Sequence, residues 1–177
     1  MTLRLRADRL LVERGLFESR AQAQAAIAAG RVTADAAIVT KPSQEVSVEA
    51  MLSAQAAHPY VSRGGVKLAA ALDQFGCDPS GRVCLDVGAS TGGFSEVLLA
   101  RGARRVYAVD VGRGQLHSNL RAEPRLLSIE GTDIRALEPA SLPEAPDFVT
   151  IDVSFISLKL VLPAALRLAQ GPAQLLA

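Results

Sequence analysis

The sequence predicts an α/β protein in two parts: a small α+β module, then a larger domain built on a mostly parallel sheet. Three observations carry that expectation. Apolar runs at 83–87, 105–109, 126–130 and 147–151 alternate with helical stretches at 93–101, about 113–121 and 158–169, the rhythm of βα units. The first 56 residues have another rhythm, two short helical segments followed by small strands. Between the two parts, Ala56-Ala57-His58-Pro59 reads as a hinge, because the residue before proline is pushed out of helical geometry. The expected domains are therefore 1–56 and 60–177.

In the first part, Leu10-Leu11-Val12 forms an apolar patch that ends at Gly15. Ser19-Arg20-Ala21-Gln22 fits a capping box, in which serine covers a free amide and glutamine reaches back. The alanine-rich helix it opens, roughly 20–29, stops at Gly30, suited to a left-handed cap. Arg31-Val32-Thr33 and Ala37-Ile38-Val39 read as short strands around Asp35; Lys41-Pro42 ends the second, and 45–48 is a further strand. Residues 1–63 hold eight basic side chains and six acids, and several arginines sit at helix ends, where free amides can also face phosphate. Composition alone leaves these as solvated surface arginines.

In the second part, a helix near 65–75 carries Leu68, Leu72 and Phe75 on one face and ends at Gly76. The strand Val83-Cys84-Leu85 runs into DVGASTGGFSE, and Phe94, Val97 and Leu98 then follow at helical spacing. Strand, glycine turn and helix in that order make a nucleotide-binding corner. Ligands of such sheets bind at the carboxyl ends of the strands. Standing there are Asp86, Gly88, Ala89, Ser90, Thr91, Gly92 and Gly93, then Asp110, Asp133 and Asp152. Four carboxylates on one rim are poorly explained as packing.

The loop narrows the cofactor. A P-loop needs Lys and Ser or Thr directly after its last glycine, but Phe94 and Ser95 follow Gly93. A dinucleotide fingerprint needs Gly-x-Gly-x-x-Gly, and this loop spells Gly-x-x-x-Gly-Gly, a poor match that leaves NAD open. Asp110 lies 22 residues past Gly88, where a carboxylate can accept hydrogen bonds from both ribose hydroxyls. Asp133, at the end of the next strand, is placed to meet an adenine amino group. Acids around the loop disfavour a pyrophosphate and suit S-adenosylmethionine, which has no phosphate and carries a positive sulfonium.

Composition sets outer limits. Apolar residues make up 49% and charged ones 21% of 177 residues, with a net charge of +1, which describes an ordinary globular chain without a strong basic footprint. The two cysteines, Cys77 and Cys84, form no disulfide framework, and Cys84 reads as a packed, inert thiol. No signal peptide is expected from MTLRLRADRL, and Lys159, Pro163, Arg167 and Pro172 interrupt the apolar stretch 153–177, so no membrane span is expected. No metal site is expected, since no ligand set has the spacing for one.

Motifs in both parts resemble a known family. RLRADRLLVERGLFESRAQAQAAIAAGRV is similar to the S-four-type RNA-binding domain, with Ala34-Asp35-Ala36 where that domain has an Asn-Gly turn, so a looser turn is expected. YVSRGGVKLAAAL, VCLDVGASTGGFSEVLLARGA, VYAVDVGRGQL and TIDVSFISL, in that order, resemble the TlyA family, which joins such a domain to an FtsJ-like methyltransferase domain. The resemblance departs at Ser95-Glu96, where the family often has Thr-Asp, and at Ser118-Asn119, where an aromatic is common. It implies a Rossmann-like methyltransferase sheet, S-adenosylmethionine as cofactor, and methylation of ribose 2′-hydroxyls in ribosomal RNA. It also implies ribosomal RNA or ribosomal subunits as partners, while a cytoplasmic location is the expectation from the cysteine usage and from the reading of MTLRLRADRL and 153–177 given above. RNA contacts are then expected at Arg4, Arg6, Arg20, Arg31, Lys41 and Arg63. Of the family's Lys-Asp-Lys-Glu catalytic set, Lys67 matches the first lysine and Asp152 the aspartate. Lys67 is expected in the first turn of its helix, where the dipole disfavours a cation.

The second lysine of that set belongs to a strand after the helix 158–169, where this chain reads Gln174-Leu175-Leu176-Ala177. The expectation is a fragment whose fourth strand is a bare apolar edge, inactive alone and prone to aggregate. A non-catalytic RNA-binding protein is the alternative reading, and a membrane-lytic protein ranks last for want of a cationic amphipathic helix.

Overall fold

The computed structural model describes residues 3–169 and 171–177. The chain divides into two compact units, Met1–Pro59 and Tyr60–Ala177.

The first unit contains β1 (Arg4–Arg6), α1 (Ala7–Glu13), α2 (Arg20–Ala28), β2 (Val32–Ala34), β3 (Ala37–Ile38), β4 (Glu45–Ser47) and β5 (Leu52–Ala54). β1 pairs antiparallel with β4, and β3, β2 and β5 form an antiparallel sheet in that order. Ser19 Oγ accepts from Gln22 N–H, as a capping box requires, but Gln22 Oε1 accepts from Glu18 N–H, one residue further back. Ala23, Ala26 and Ile27 turn one face of α2 into the core, where they meet Leu10, Leu11, Val32, Val39 and Val46. Alanine at two of those positions lets the helices approach closely.

The hairpin between β2 and β3 is tight, which corrects the expected loose turn. Asp35 and Ala36 both take positive φ, 50° and 65°, the backbone of a type I′ turn without its usual Asn-Gly. Asp35 secures it: its N–H donates to Met51 O, and its Oδ1 accepts from Met51 N–H, each at 2.9 Å. Ala36 has no such compensation. Ala36→Gly is expected to raise unfolding free energy by about 1 kcal/mol, seen as a higher denaturant midpoint at unchanged m-value.

The second unit runs α3 (Arg63–Phe75), β6 (Val83–Val87), α4 (Gly93–Ala100), β7 (Arg105–Asp110), α5 (Ser118–Arg121), β8 (Leu126–Glu130), 3-10 turns at Ile134–Ala136 and Pro139–Ser141, β9 (Phe148–Ile151), α6 (Leu158–Leu168) and β10 (Gln174–Leu176). The sheet is parallel in the order β10-β9-β6-β7-β8. Alternate strand residues feed two cores. Cys84, Val106 and Phe148 pack with Leu68 and Leu72 of α3 and Val97 and Leu98 of α4. Leu85, Tyr107 and Val149 pack with Val161, Ala165 and Leu168 of α6. Burial pushes the Cys84 thiol up to about 12, which makes it inert.

Three local expectations change. The helix expected at about 113–121 shrinks to Ser118–Arg121, and an irregular loop precedes it. Phe75, the last residue of α3, lies on the face of Leu68 and Leu72 but at its end, where it is largely exposed while they are buried. Phe148–Thr150 of β9 are not a bare edge, since Gln174–Leu176 pair with them in parallel register.

Candidate functional site

Strand order reverses at β6, because the chain moves outward to β7 and β8 on one side and to β9 and β10 on the other. A crevice opens there, at the carboxyl ends of the strands. Two cavities occupy it. The first, of about 360 Å³, is lined by Gly88, Ser90, Asp110, Gln115, Asp133 and Asp152, with apolar walls from Val111 and Ile134. The second, of about 280 Å³, is lined by Ser62, Ala89, Thr91, Gly93 and Phe94 and shares Gly88, Ser90, Asp152 and Ser154 with the first.

Gly88 lets the loop lie where it does. Its φ is +84°, and a Cβ there would stand 2.5 Å from the Asp152 carbonyl oxygen. The N–H groups of Gly88 and Ala89 both donate to Val109 O, fastening the loop to β7. Asp110 holds the next turn: Oδ2 accepts from Ser90 N–H at 2.8 Å and Oδ1 from Gly112 N–H at 2.7 Å. Asp133 accepts from the guanidinium and the backbone N–H of Arg135, and these hydrogen bonds, the guanidinium's first, hold its carboxyl down to about 2.

Lys67 Nζ lies 2.7 Å from Asp152 Oδ1 and 5.7 Å from the centre of the Phe94 ring. The structure thus joins two side chains 85 positions apart at the edge of the crevice. Lys67 is the fifth residue of α3, just past the first turn in which it was expected, because the helix starts at Arg63.

Asp86 does not line either cavity. It is fully buried below the loop, where Oδ2 accepts from Ser95 Oγ–H at 2.7 Å and Oδ1 from Thr150 Oγ1–H at 3.4 Å. Gly92 also stands behind the loop, against Leu116 and Leu120. Burial pushes the Asp86 carboxyl up to about 6, against the pull of the Ser95 and Thr150 bonds. The folded state therefore holds this proton where the unfolded chain has lost it. Ionising Asp86 costs stability as pH rises from about 4 to about 6, by roughly 3 kcal/mol, and the cost persists above that range. Relative to wild type, Asp86→Asn is expected to gain about 2 kcal/mol between pH 4.5 and pH 7.5. Parallel urea-derived stability curves for the two proteins would contradict this.

Arg4, Arg6, Arg20, Arg31 and Lys41 are all exposed on the first unit, whereas Arg63 opens α3 in the second. The guanidiniums of Arg6 and Arg20 converge on Asp8, a fully buried carboxylate, at 3.0 and 2.8 Å, and Gln24 Nε2–H donates to it as well. These charge-assisted bonds hold the Asp8 carboxyl well below the usual carboxylate range.

Asp8, Gln115, Glu130 and Phe155 were not singled out from the sequence. Glu130 accepts three consecutive backbone N–H groups, those of Gly114, Gln115 and Leu116, so its place at the end of β8 was the available signal. Phe155, on the rim of the first cavity, is fully exposed with φ +65°. Among the described residues, no helix is long and apolar enough to cross a membrane, and no group of three or more His, Cys, Asp or Glu could hold a metal ion.

Comparison with known proteins matches residues 60–176 to the FtsJ-like methyltransferase model and residues 5–52 to the S4 domain model. The 16S/23S rRNA (cytidine-2′-O)-methyltransferase TlyA of Mycobacterium tuberculosis is 46% identical over 177 residues, which cover 99% of this chain and 66% of that protein. Hemolysin A of Brachyspira hyodysenteriae is 38% identical over 160 residues, 90% of this chain and 67% of that protein. A solved structure from Streptococcus thermophilus, described as a hemolysin, superposes with a TM-score of 0.70 at 40% identity, covering 99% of this chain and 65% of that one. The chain thus spans about two thirds of the length of these relatives.

Proposed function

The chain belongs to the FtsJ-like methyltransferase family and carries an S4 domain, and from that premise we propose that it binds S-adenosylmethionine and directs methyl transfer to a ribose 2′-hydroxyl of ribosomal RNA. The observation that carries this reading is the lining of the crevice: Asp110, Asp133 and Asp152 face it, and no basic side chain is among the lining residues. The charged side chains that line it are all carboxylates, which disfavours a pyrophosphate and favours a sulfonium cofactor. Bound S-adenosylmethionine supplies a methyl group activated for displacement.

The chain's own residues divide the rest of the work. Asp110 accepts from the ribose hydroxyls, Val111 and Ile134 flank the adenine, and Thr91 and Gly93 of the loop border the carboxylate end. Asp152 holds Lys67 Nζ beside the crevice, where the lysine, once it has released its own proton to solvent and stands as the neutral amine, takes up the proton of the attacking hydroxyl. Phe155 offers an exposed ring at the rim, on which an unstacked base can lie. Labelled-methyl transfer to ribosomal RNA under single-turnover conditions is the assay that tests this reading.

Exposed arginines of the first unit are the proposed phosphate contacts. Arg4→Ala and Arg31→Ala, whose guanidiniums bond only to neutral oxygens, are each expected to weaken ribosomal RNA binding and lower the slope of log K against log salt by about 1. An unchanged salt slope in both variants would remove these arginines from the RNA surface.

A further inference from the structure

The loop between β7 and α5 is built to present one side chain. Glu130 fixes it from below, with Oε2 accepting from Gly114 N–H at 2.9 Å and Oε1 from Gln115 N–H at 2.9 Å and Leu116 N–H at 3.1 Å. Arg121 closes the other side, with its Nε–H donating to Leu116 O at 2.9 Å. Pinned in this way, the Gln115 carboxamide turns to the first cavity, where Oε1 accepts from Ser90 Oγ–H at 3.1 Å.

That bond leaves Nε2 as a donor, and its position is informative. It fills the space that a side chain on Gly112 would need; a Cβ there would overlap Nε2 and stand 3.1 Å from Asp110 Oδ1. An amide donor and a carboxylate acceptor therefore sit side by side over Gly112, both on the cavity wall. Two vicinal hydroxyls want such a pair, since each hydroxyl gives one proton and can accept another. A carboxylate alone satisfies only their donor side.

We infer that Gln115 is a second ribose-binding residue, whose Nε2–H donates to a ribose hydroxyl oxygen while Asp110 accepts the hydroxyl protons, with Glu130 as the positioning residue. The inference rests on the S-adenosylmethionine reading and adds to it the residue that reads the diol. It also explains glycine at 112, because a methyl group there evicts the carboxamide.

Calorimetric titration of the full chain with S-adenosylhomocysteine and with its 2′,3′-dideoxy analogue tests it. Gln115→Ala is expected to weaken the diol ligand about 5- to 20-fold and the dideoxy ligand less than twofold. Gly112→Ala should reproduce that pattern. Glu130→Gln should reduce the ratio of the two affinities, which a purely structural role would leave unchanged. If Gln115→Ala weakens both ligands equally or neither, the inference falls while the cofactor reading stands. If the wild-type chain binds neither ligand, the cofactor reading falls and takes the inference with it.

Discussion

Lys67→Met is expected to lower single-turnover methyl transfer to ribosomal RNA by about 10²-fold or more, with affinity for S-adenosylmethionine unchanged within twofold. The geometry separates the two quantities. Lys67 reaches the crevice only through Asp152, at 2.7 Å, and lines neither of the two cavities assigned to the cofactor. Loss of the ion pair costs little stability, since both side chains are substantially exposed and such pairs contribute at most about 1 kcal/mol. Methionine keeps the contact with the Phe94 ring and removes the proton acceptor. A transfer rate equal to wild type would strike Lys67 from the catalytic residues, and a matching fall in thermal stability would assign it a structural role.

Gly88→Ala is expected to weaken S-adenosylmethionine binding at least about 30-fold and to cost about 3 kcal/mol of stability. Part of the cost is the positive φ of +84°, unfavourable for any residue with a Cβ by roughly 1–2 kcal/mol. The remainder comes from the Asp152 carbonyl oxygen, which a Cβ would approach to 2.5 Å. Relief requires the loop or the end of β9 to move, and either motion shifts Asp152 relative to the cofactor. Gly76→Ala is the control: φ is +61° with nothing within 4 Å, so strain alone operates and binding should not change. Equal effects of the two substitutions on binding would show that the close approach to Asp152 is not what shapes the cavity.

The sheet was legible because each of its first four strands is a short apolar run bounded by turn residues, and the glycine loop announced the corner between β6 and α4. Asp152 was legible as a rim carboxylate from its place at a strand end, but Lys67 and the catalytic role of both were legible only through resemblance, since nothing local in the sequence brings together residues 85 positions apart. Asp86 was misplaced on the rim because strand alternation does not say how deep a residue lies in a strand buried on both faces. The loop before α5 escaped for a different reason. Leu116 and Leu120 have helical spacing, but Glu130 captures the amides of Gly114, Gln115 and Leu116, and a carboxylate bonding to backbone leaves no side-chain pattern to read. The tight turn at Asp35 and Ala36 was hidden likewise, since its support comes from Met51, remote in sequence.

The measurement that bears most directly on the central claim is isothermal titration of the 177-residue chain with S-adenosylmethionine, with NAD and ATP as competitors. The expected result is one cofactor per chain, undisturbed by either nucleotide, because the crevice lining offers carboxylates and no cation for a phosphate. Absence of binding, or displacement by NAD, would contradict the assignment of the crevice to S-adenosylmethionine.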